Sequence, residues 1–258
     1  MPTPDQARAI AESFGVDPAG YDRYRPSYPE ALITRIIAGS PGRNLLNVGL
    51  GTGIEARQFQ AAGCTVLGVE PDARMADFAR ATGVEAEVST FETWDARGRR
   101  FDAVVSGTAW HWVDPVKGAA KAAEVLSPNG RLAAFWHVFD LPQPIAEAFA
   151  TVYQRVVPDS PFTFDPGRSM IDLYQGQFTR TADGLRQAGF DEPEQWRYDW
   201  SRFYTRDQWL ELLPTHGGMT RLTPSQRTEV LAGVAPALGD GFTLPYVTTA
   251  VAARIPSR

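Results

Sequence analysis

The chain has 258 residues, a formal net charge of -5 with scattered basic residues, and a single cysteine, Cys64. Such a length can bury one substantial core, and the charge balance offers no basic footprint for nucleic acid. No apolar run nears the roughly 20 residues that span a bilayer, MPTPDQARAI lacks a signal-peptide pattern, and one cysteine excludes an internal disulfide framework. The expectation is a cytoplasmic, single-domain protein of residues 1–258, a monomer or homodimer, with no membrane or nucleic-acid partner.

In chain order, residues 5–14 (DQARAIAESF) read as a short helix and GVDPAG as a turn. In Tyr24-Arg25-Pro26-Ser27-Tyr28-Pro29 the prolines bar a helix and keep the aromatic cluster extended, while Pro29 suits the first turn of a helix to Gly39. Leu45, Leu46 and Val48 form an apolar run, Gly49, Gly51 and Gly53 follow at every second position, and helix formers continue to Gly63. A second apolar run, Cys64 to Val69, ends on Glu70, and Pro71 to Ala81 reads as helix. The order strand, glycine turn, helix, strand, acid is that of a nucleoside site, with a carboxylate at the carboxyl edge of a parallel sheet for the ribose hydroxyls. Ile54 stands where a dinucleotide fingerprint needs its last small residue, which argues against a nicotinamide cofactor.

Val84 to Val88 reads as the third strand and Phe101 to Ser106 as the fourth, apolar and β-branched as in a strand buried on both faces. It runs into Trp110-His111-Trp112, an uncommon composition for a plain loop. A helix follows from Asp114-Pro115, then a turn at Ser127-Pro128-Asn129-Gly130 and a fifth strand, Arg131 to Val138. Beyond it the spacing predicts a helix over 143–157, a loop PDSPFTFDPGRSM, a short helical piece to Phe178 and a helix over 182–188. A sixth strand over 195–204, helices over 207–213 and 225–238, and a last strand over 241–255 complete the chain, with Pro245 placing that strand at an edge or a bulge. Alternating strands and helices give a doubly wound parallel sheet.

The G-x-G-x-G turn with Asn47 before it resembles motif I of the class I S-adenosylmethionine-dependent methyltransferases, and the F-D-x-V strand with W-H-W resembles their motif IV. LSPNGRL resembles their L-x-P-G-G-x-L element. Tyr24 to Pro29 resembles the Y-R-P-x-Y-P element of a subgroup, methyltransferase type 11, related to the trans-aconitate enzymes. The resemblance implies a Rossmann-like α/β fold: a seven-stranded sheet, mostly parallel with an antiparallel last strand, an N-terminal cap and first helix over 1–40, and a helical substrate lid over 139–181. It implies S-adenosylmethionine as cofactor, with S-adenosylhomocysteine as product and a small-molecule acceptor methylated at a hydroxyl or carboxylate oxygen.

Carried onto this chain, the resemblance puts Tyr24 and Arg25 near the cofactor's methionine carboxylate, an arginine fork suiting a carboxylate. It puts Asn47, Gly49, Leu50, Gly51, Gly53 and Ser106 around the cofactor, Glu70 and Pro71 at its ribose, and Met75, Thr90 and Phe91 at its adenine. Tyr28, Trp110, Trp112, Trp136, His137 and Tyr246 become candidate walls of an acceptor chamber. His111 is the candidate catalytic residue, as a base or as a group that only hydrogen-bonds a carboxylate acceptor or a neighbouring backbone carbonyl. Asn47 stands where relatives usually have aspartate, Leu50 where a small residue is common and Thr90 where aspartate is commoner. The alternative is therefore a non-catalytic cofactor-binding protein on the same scaffold. The residue types exclude other chemistries: no zinc-ligand spacing and so no metal, no hydrolase elbow and no P-loop.

Overall fold

The computed structural model describes residues 13–158, 160 and 167–257, and the helix expected over 5–14 and the loop over 158–170 fall largely outside them. A short helix α1 (Pro18–Tyr24) precedes α2 (Glu30–Ala38). The alternation then runs β1 (Asn44–Val48), α3 (Ile54–Ala61), β2 (Thr65–Glu70), α4 (Ala73–Ala81), β3 (Glu85–Val88) and β4 (Phe101–Gly107). It continues with α5 (Pro115–Val125), β5 (Leu126–Phe139), α6 (Gln143–Val156), α7 (Met170–Gln187), β6 (Glu194–Thr205), α8 (Arg206–Leu212), α9 (Gly217–Thr220), α10 (Pro224–Val234) and β7 (Gly241–Arg254).

The seven strands form one sheet in the order β3-β2-β1-β4-β5-β7-β6, with β1 to β5 parallel and the last strands antiparallel. From β1 the chain steps outward to β2 and β3, then returns to the other side of β1 as β4. The carboxyl ends of β1 and β4 therefore flank the switch point, where ligands bind in sheets of this kind.

Several expectations are corrected. Helix α1 replaces the turn and takes in Tyr24, because Pro18 sits in the first turn and the Asp17 side chain accepts from the Gly20 amide at 2.9 Å. Pro71 lies outside α4, whose cap is Asp72, accepting from the Arg74 amide. The two helices expected around Phe178 are one, α7. The turn over 127–130 is absorbed into β5 as an irregularity: the register jumps from Phe101–Leu126 to Ala103–Arg131, and Asn129 takes a positive φ of 62°. Of the two places expected for Pro245, an edge strand or a bulge, the edge is overturned, since β6 lies outside β7.

The chain folds as two compact units. One comprises described residues up to Arg25, Val138–Tyr174 and Asp199–Val247, around a core that includes Phe149, Tyr153, Tyr204, Trp209 and Tyr246. The stretch expected as a helical lid over 139–181 shares its core, up to Tyr174, with residues 199–247. The other comprises Pro26–His137, Gln175–Tyr198 and the chain from Thr248, with Leu32, Leu45, Phe59, Val105 and Phe135 in its core. Among the described residues no helix is long and apolar enough to cross a membrane.

Candidate active site

The bend after β1 is fixed by backbone. The amides of Gly49 and Leu50 both donate to the Val69 carbonyl, at 2.9 and 3.3 Å, which ties the turn to β2. Gly49 and Gly51 take φ of 67° and 57°, a region that a Cβ disfavours. A Cβ on Gly49 would meet the Ala109 Cβ at 2.4 Å, whereas one on Gly51 would meet nothing within 4 Å. The backbone at Gly51 is thus bare and faces open space. Leu50, larger than expected here, is buried because β2 offers Gly68: a Cβ there would sit 2.3 Å from Leu50 Cδ2.

Glu70 turns toward the bend. Its Oε2 accepts from the Gly51 amide at 2.8 Å and its Oε1 from the Asp72 amide at 2.9 Å. Burial pushes its carboxyl above the usual range, against the two amides that favour the charged form. Each oxygen keeps a lone pair for a further donor.

Between β1 and β4 stands a group that the sequence pattern does not single out. Asn47, fully buried, donates Nδ2 to Glu55 Oε1 at 3.1 Å and to the Val105 carbonyl at 3.3 Å, and its Oδ1 has no partner. Glu55 Oε1 also accepts from the Gly107 amide at 3.2 Å. Glu55 is 4 % exposed, and burial raises its pKa from 4.5 to about 7. Its place in the first turn of α3 reads from sequence as an ordinary solvent-facing acid. The hydroxyls of Ser106 and Thr52 are likewise buried without a partner.

The carboxyl end of β4 is built from side chains. Thr108, equally unmarked in the sequence, has φ 52°, uncommon for a β-branched residue, and donates its amide to the Phe135 carbonyl at 2.7 Å. Its hydroxyl lies 2.8 Å from the Tyr28 hydroxyl. Tyr28 stacks on His137 at 4.2 Å, and His137 Nδ1 lies 2.9 Å from the Thr248 hydroxyl. Exchanged bonds with the Gln58 amide hold the Tyr28 backbone.

In the single turn Trp110–Trp112, Trp110 is buried against Phe91, their centroids 6.0 Å apart, while Trp112 is 36 % exposed. His111 lies between them in sequence, its ring 4.5 Å from that of Trp112. Trp136, wholly buried, donates its indole N–H to His111 Nδ1 at 3.2 Å. An indole nitrogen can only donate, so Nδ1 accepts and the imidazole proton sits on Nε2. Burial lowers the His111 pKa to about 4, which keeps the ring neutral at pH 7.

The remaining expected residues divide between the units. Met75 is buried in α4, Phe91 is buried, the Thr90 hydroxyl lies 2.7 Å from that of Thr93, and Pro71 is exposed. In the other unit Arg25 donates to Thr215, from Nε to the hydroxyl at 3.1 Å and from Nη2 to the carbonyl at 2.6 Å, and Tyr24 packs on the aromatic core. There Tyr246 stacks on Trp200 at 4.4 Å and shares a 2.8 Å contact with the Tyr204 hydroxyl.

Comparison with known proteins places this geometry. Residues 46–134 match the family model described as a methyltransferase domain, Methyltransf_11. An uncharacterized methyltransferase of Mycobacterium tuberculosis is 28 % identical over 96 % of this chain and 98 % of its own. Among solved structures, a candidate type II methyltransferase from Anaeromyxobacter dehalogenans matches with a TM-score of 0.62 at 20 % identity, over 91 % of this chain and 100 % of that one. Phosphoethanolamine N-methyltransferase 2 of Haemonchus contortus, solved with phosphomonomethylethanolamine and S-adenosylhomocysteine, matches with a TM-score of 0.55 at 16 % identity, over 100 % of this chain and 61 % of that one. With its motifs, its strand order and these relatives in agreement, residues 46–134 form a methyltransferase domain of the S-adenosylmethionine-dependent kind.

Proposed function

We propose that this methyltransferase carries the methyl group to an oxygen of a small-molecule acceptor, and that a carboxylate is the oxygen that suits it. S-adenosylmethionine supplies the sulfonium methyl, and displacement at that carbon needs the acceptor oxygen held in line, about 3 Å behind it. The residues fit the donor: a bare glycine backbone, a carboxylate turned to it, and a buried acceptor without a partner beside them. Glu70 receives the ribose hydroxyls on the lone pairs that the two amides leave, with Met75, Thr90 and Phe91 on the adenine side.

The observation that carries the choice of oxygen is the Trp136 bond to His111 Nδ1. It leaves Nε2–H, a donor, as the polar edge of His111, and a donor takes no proton. A hydroxyl acceptor needs a base near pH 7. A carboxylate is already anionic and gains from an N–H that fixes one of its oxygens. The resemblance of Tyr24 to Pro29 to an element of the trans-aconitate enzymes is in keeping with an acidic acceptor. Incubating the protein with methyl-labelled donor and metabolite pools, then resolving the pools by mass spectrometry, should yield labelled products that mild alkali converts back to free acid and methanol. Label on nitrogen, or in an alkali-stable ether, overturns the carboxylate reading.

A further inference from the structure

The crevice at the switch point holds one carboxyl group that donor and acceptor binding leave unused. Glu55 bridges the two strands that open there, taking Asn47 of β1 by its Nδ2 and Gly107 of β4 by its amide, both on Oε1. Because Asn47 Nδ2 also serves the Val105 carbonyl, both of its neighbours are acceptors and the amide has one orientation. Its Oδ1 therefore points elsewhere, buried and without a donor, a state that polar groups rarely keep. The groups facing Glu55 are the Asn47 amide, the Gly107 backbone, the Tyr28 hydroxyl near the same Gly107 position and, on its own helix, Arg57. Arg57 donates to the Thr52 carbonyl and the Thr82 hydroxyl. Between β1 and β4 the described residues thus present one carboxyl group and an acceptor oxygen that lacks a donor.

We propose that Glu55 is a positioning residue for the cationic methionyl end of the donor: as a carboxylate it fixes the Asn47 amide with Oδ1 toward the donor's ammonium, and loading the donor expels the Glu55 proton to solvent. The role rests on the donor reading given above. It assigns the missing negative charge at position 47 to a side chain eight positions later, within 3.1 Å of the asparagine. Burial holds Glu55 near half protonation at neutral pH, so an approaching cation displaces a proton that is present to be displaced.

The test is calorimetric titration of the whole chain with S-adenosylhomocysteine between pH 6 and 8, in buffers of differing ionisation enthalpy. A second ligand, 5′-methylthioadenosine, keeps the nucleoside but lacks the amine and the carboxylate. For the wild-type chain, S-adenosylhomocysteine should release a fraction of a proton at pH 6.5 and bind about tenfold more tightly at pH 8 than at pH 6. Methylthioadenosine should release none and bind alike at both. Glu55→Gln should abolish the proton release with S-adenosylhomocysteine, flatten its pH profile and leave methylthioadenosine unchanged. The ligand's own amine titrates identically in both proteins, so it cancels in the comparison. Measurable binding of S-adenosylhomocysteine without proton release, or equal losses for both ligands in Glu55→Gln, overturns the role of Glu55 and leaves the donor reading standing. Failure of both ligands and of S-adenosylmethionine to bind at any pH overturns the donor reading and the role of Glu55 with it.

Discussion

Two stretches meet the carboxyl edge of the sheet and are made differently. The bend from Gly49 to Gly53 is held by main-chain bonds to the Val69 carbonyl and by the Glu70 carboxylate on the Gly51 amide. The loop from Gly107 to Asp114 has main-chain bonds of its own, such as the Thr108 amide on the Phe135 carbonyl, and adds side chains that reach it from elsewhere: Tyr28 on Thr108, Trp136 on His111, and Glu92 accepting the Asp114 amide at 2.9 Å. A surface made of backbone depends on fewer of the side chains around it, which suits a ligand common to a whole family. A surface made of side chains changes with each substitution, which suits an acceptor particular to one enzyme.

The sharpest way to break this contrast is Glu70→Ala. It removes the acceptor of two backbone amides and, with the donor bound as proposed, the partner of the ribose. Bonds to a charged group are worth about 1.5–3 kcal/mol each, so donor affinity should fall more than a hundredfold. Calorimetry with S-adenosylhomocysteine measures it, and a fall of less than tenfold would detach Glu70 from the donor.

Glu55 sharpens the contrast from within, because its carboxyl is buried in a backbone-built region yet titrates. The folded pKa, about 7, lies above the ordinary value of 4.5, so the folded state holds the extra proton between those limits. Its contribution to stability is whole below pH 4.5 and is lost as pH rises through 7. His111 runs the other way: its folded value of about 4 lies below 6.5, and its contribution is present above 6.5 and lost as pH falls through 4. Substituting Glu55→Gln leaves the histidine slope and deletes the opposing one. The variant should match wild type near pH 4.5 and exceed it by about 3 kcal/mol above pH 7, read from urea unfolding at each pH. Parallel curves for the two proteins would show that Glu55 is ionised in the folded chain throughout.

Legibility in the sequence follows the same division. The succession of strands and helices, the bend and Glu70 are written in local patterns of period and glycine spacing, and the structure reproduces those elements within a few residues. The corrections fall where a long-range partner decides. Pro245 reads as an edge or bulge residue, and the edge reading fails because nothing local announces that β6 lies outside β7. Residues 127–130 read as a free turn because only pairing with β4 makes them part of a strand. Glu55 is invisible for a related reason: a helix-forming acid in a first turn is ordinarily solvated, and only the approach of β4 seals it in. Thr108 carries its signal in a dihedral angle, which residue type does not print.

His111→Gln tests the loop side of the contrast. Glutamine keeps an N–H donor and loses the ring, so if His111 acts by donating to the acceptor, turnover should fall about tenfold with donor affinity unchanged. The His111→Ala variant, with no donor at all, should fall further. At saturating donor, where the Glu55 titration no longer limits binding, the logarithm of the rate should show no break near pH 6–7 in the wild-type chain, because His111 does not change charge there. A break that disappears in His111→Gln would make the histidine a base after all. Rates need the acceptor from the labelling screen, whereas donor affinity can be measured at once.

The smallest effect on the fold belongs to Gly51→Ala, and it separates the two jobs of the bend. Alanine at either Gly49 or Gly51 must adopt positive φ, which costs about 1–2 kcal/mol. At Gly49 the new methyl also runs into Ala109 at 2.4 Å, so bend and loop must part and the loss of stability should be well beyond that. At Gly51 the methyl enters open space, so the backbone penalty should be the whole effect on unfolding. Donor affinity should nevertheless drop by more than that penalty, because the open space over Gly51 is where the proposed nucleoside lies. Gly51→Ala with near-normal affinity for S-adenosylhomocysteine would place the donor away from the bend, while Gly49→Ala with wild-type stability would show that bend and loop yield to each other freely.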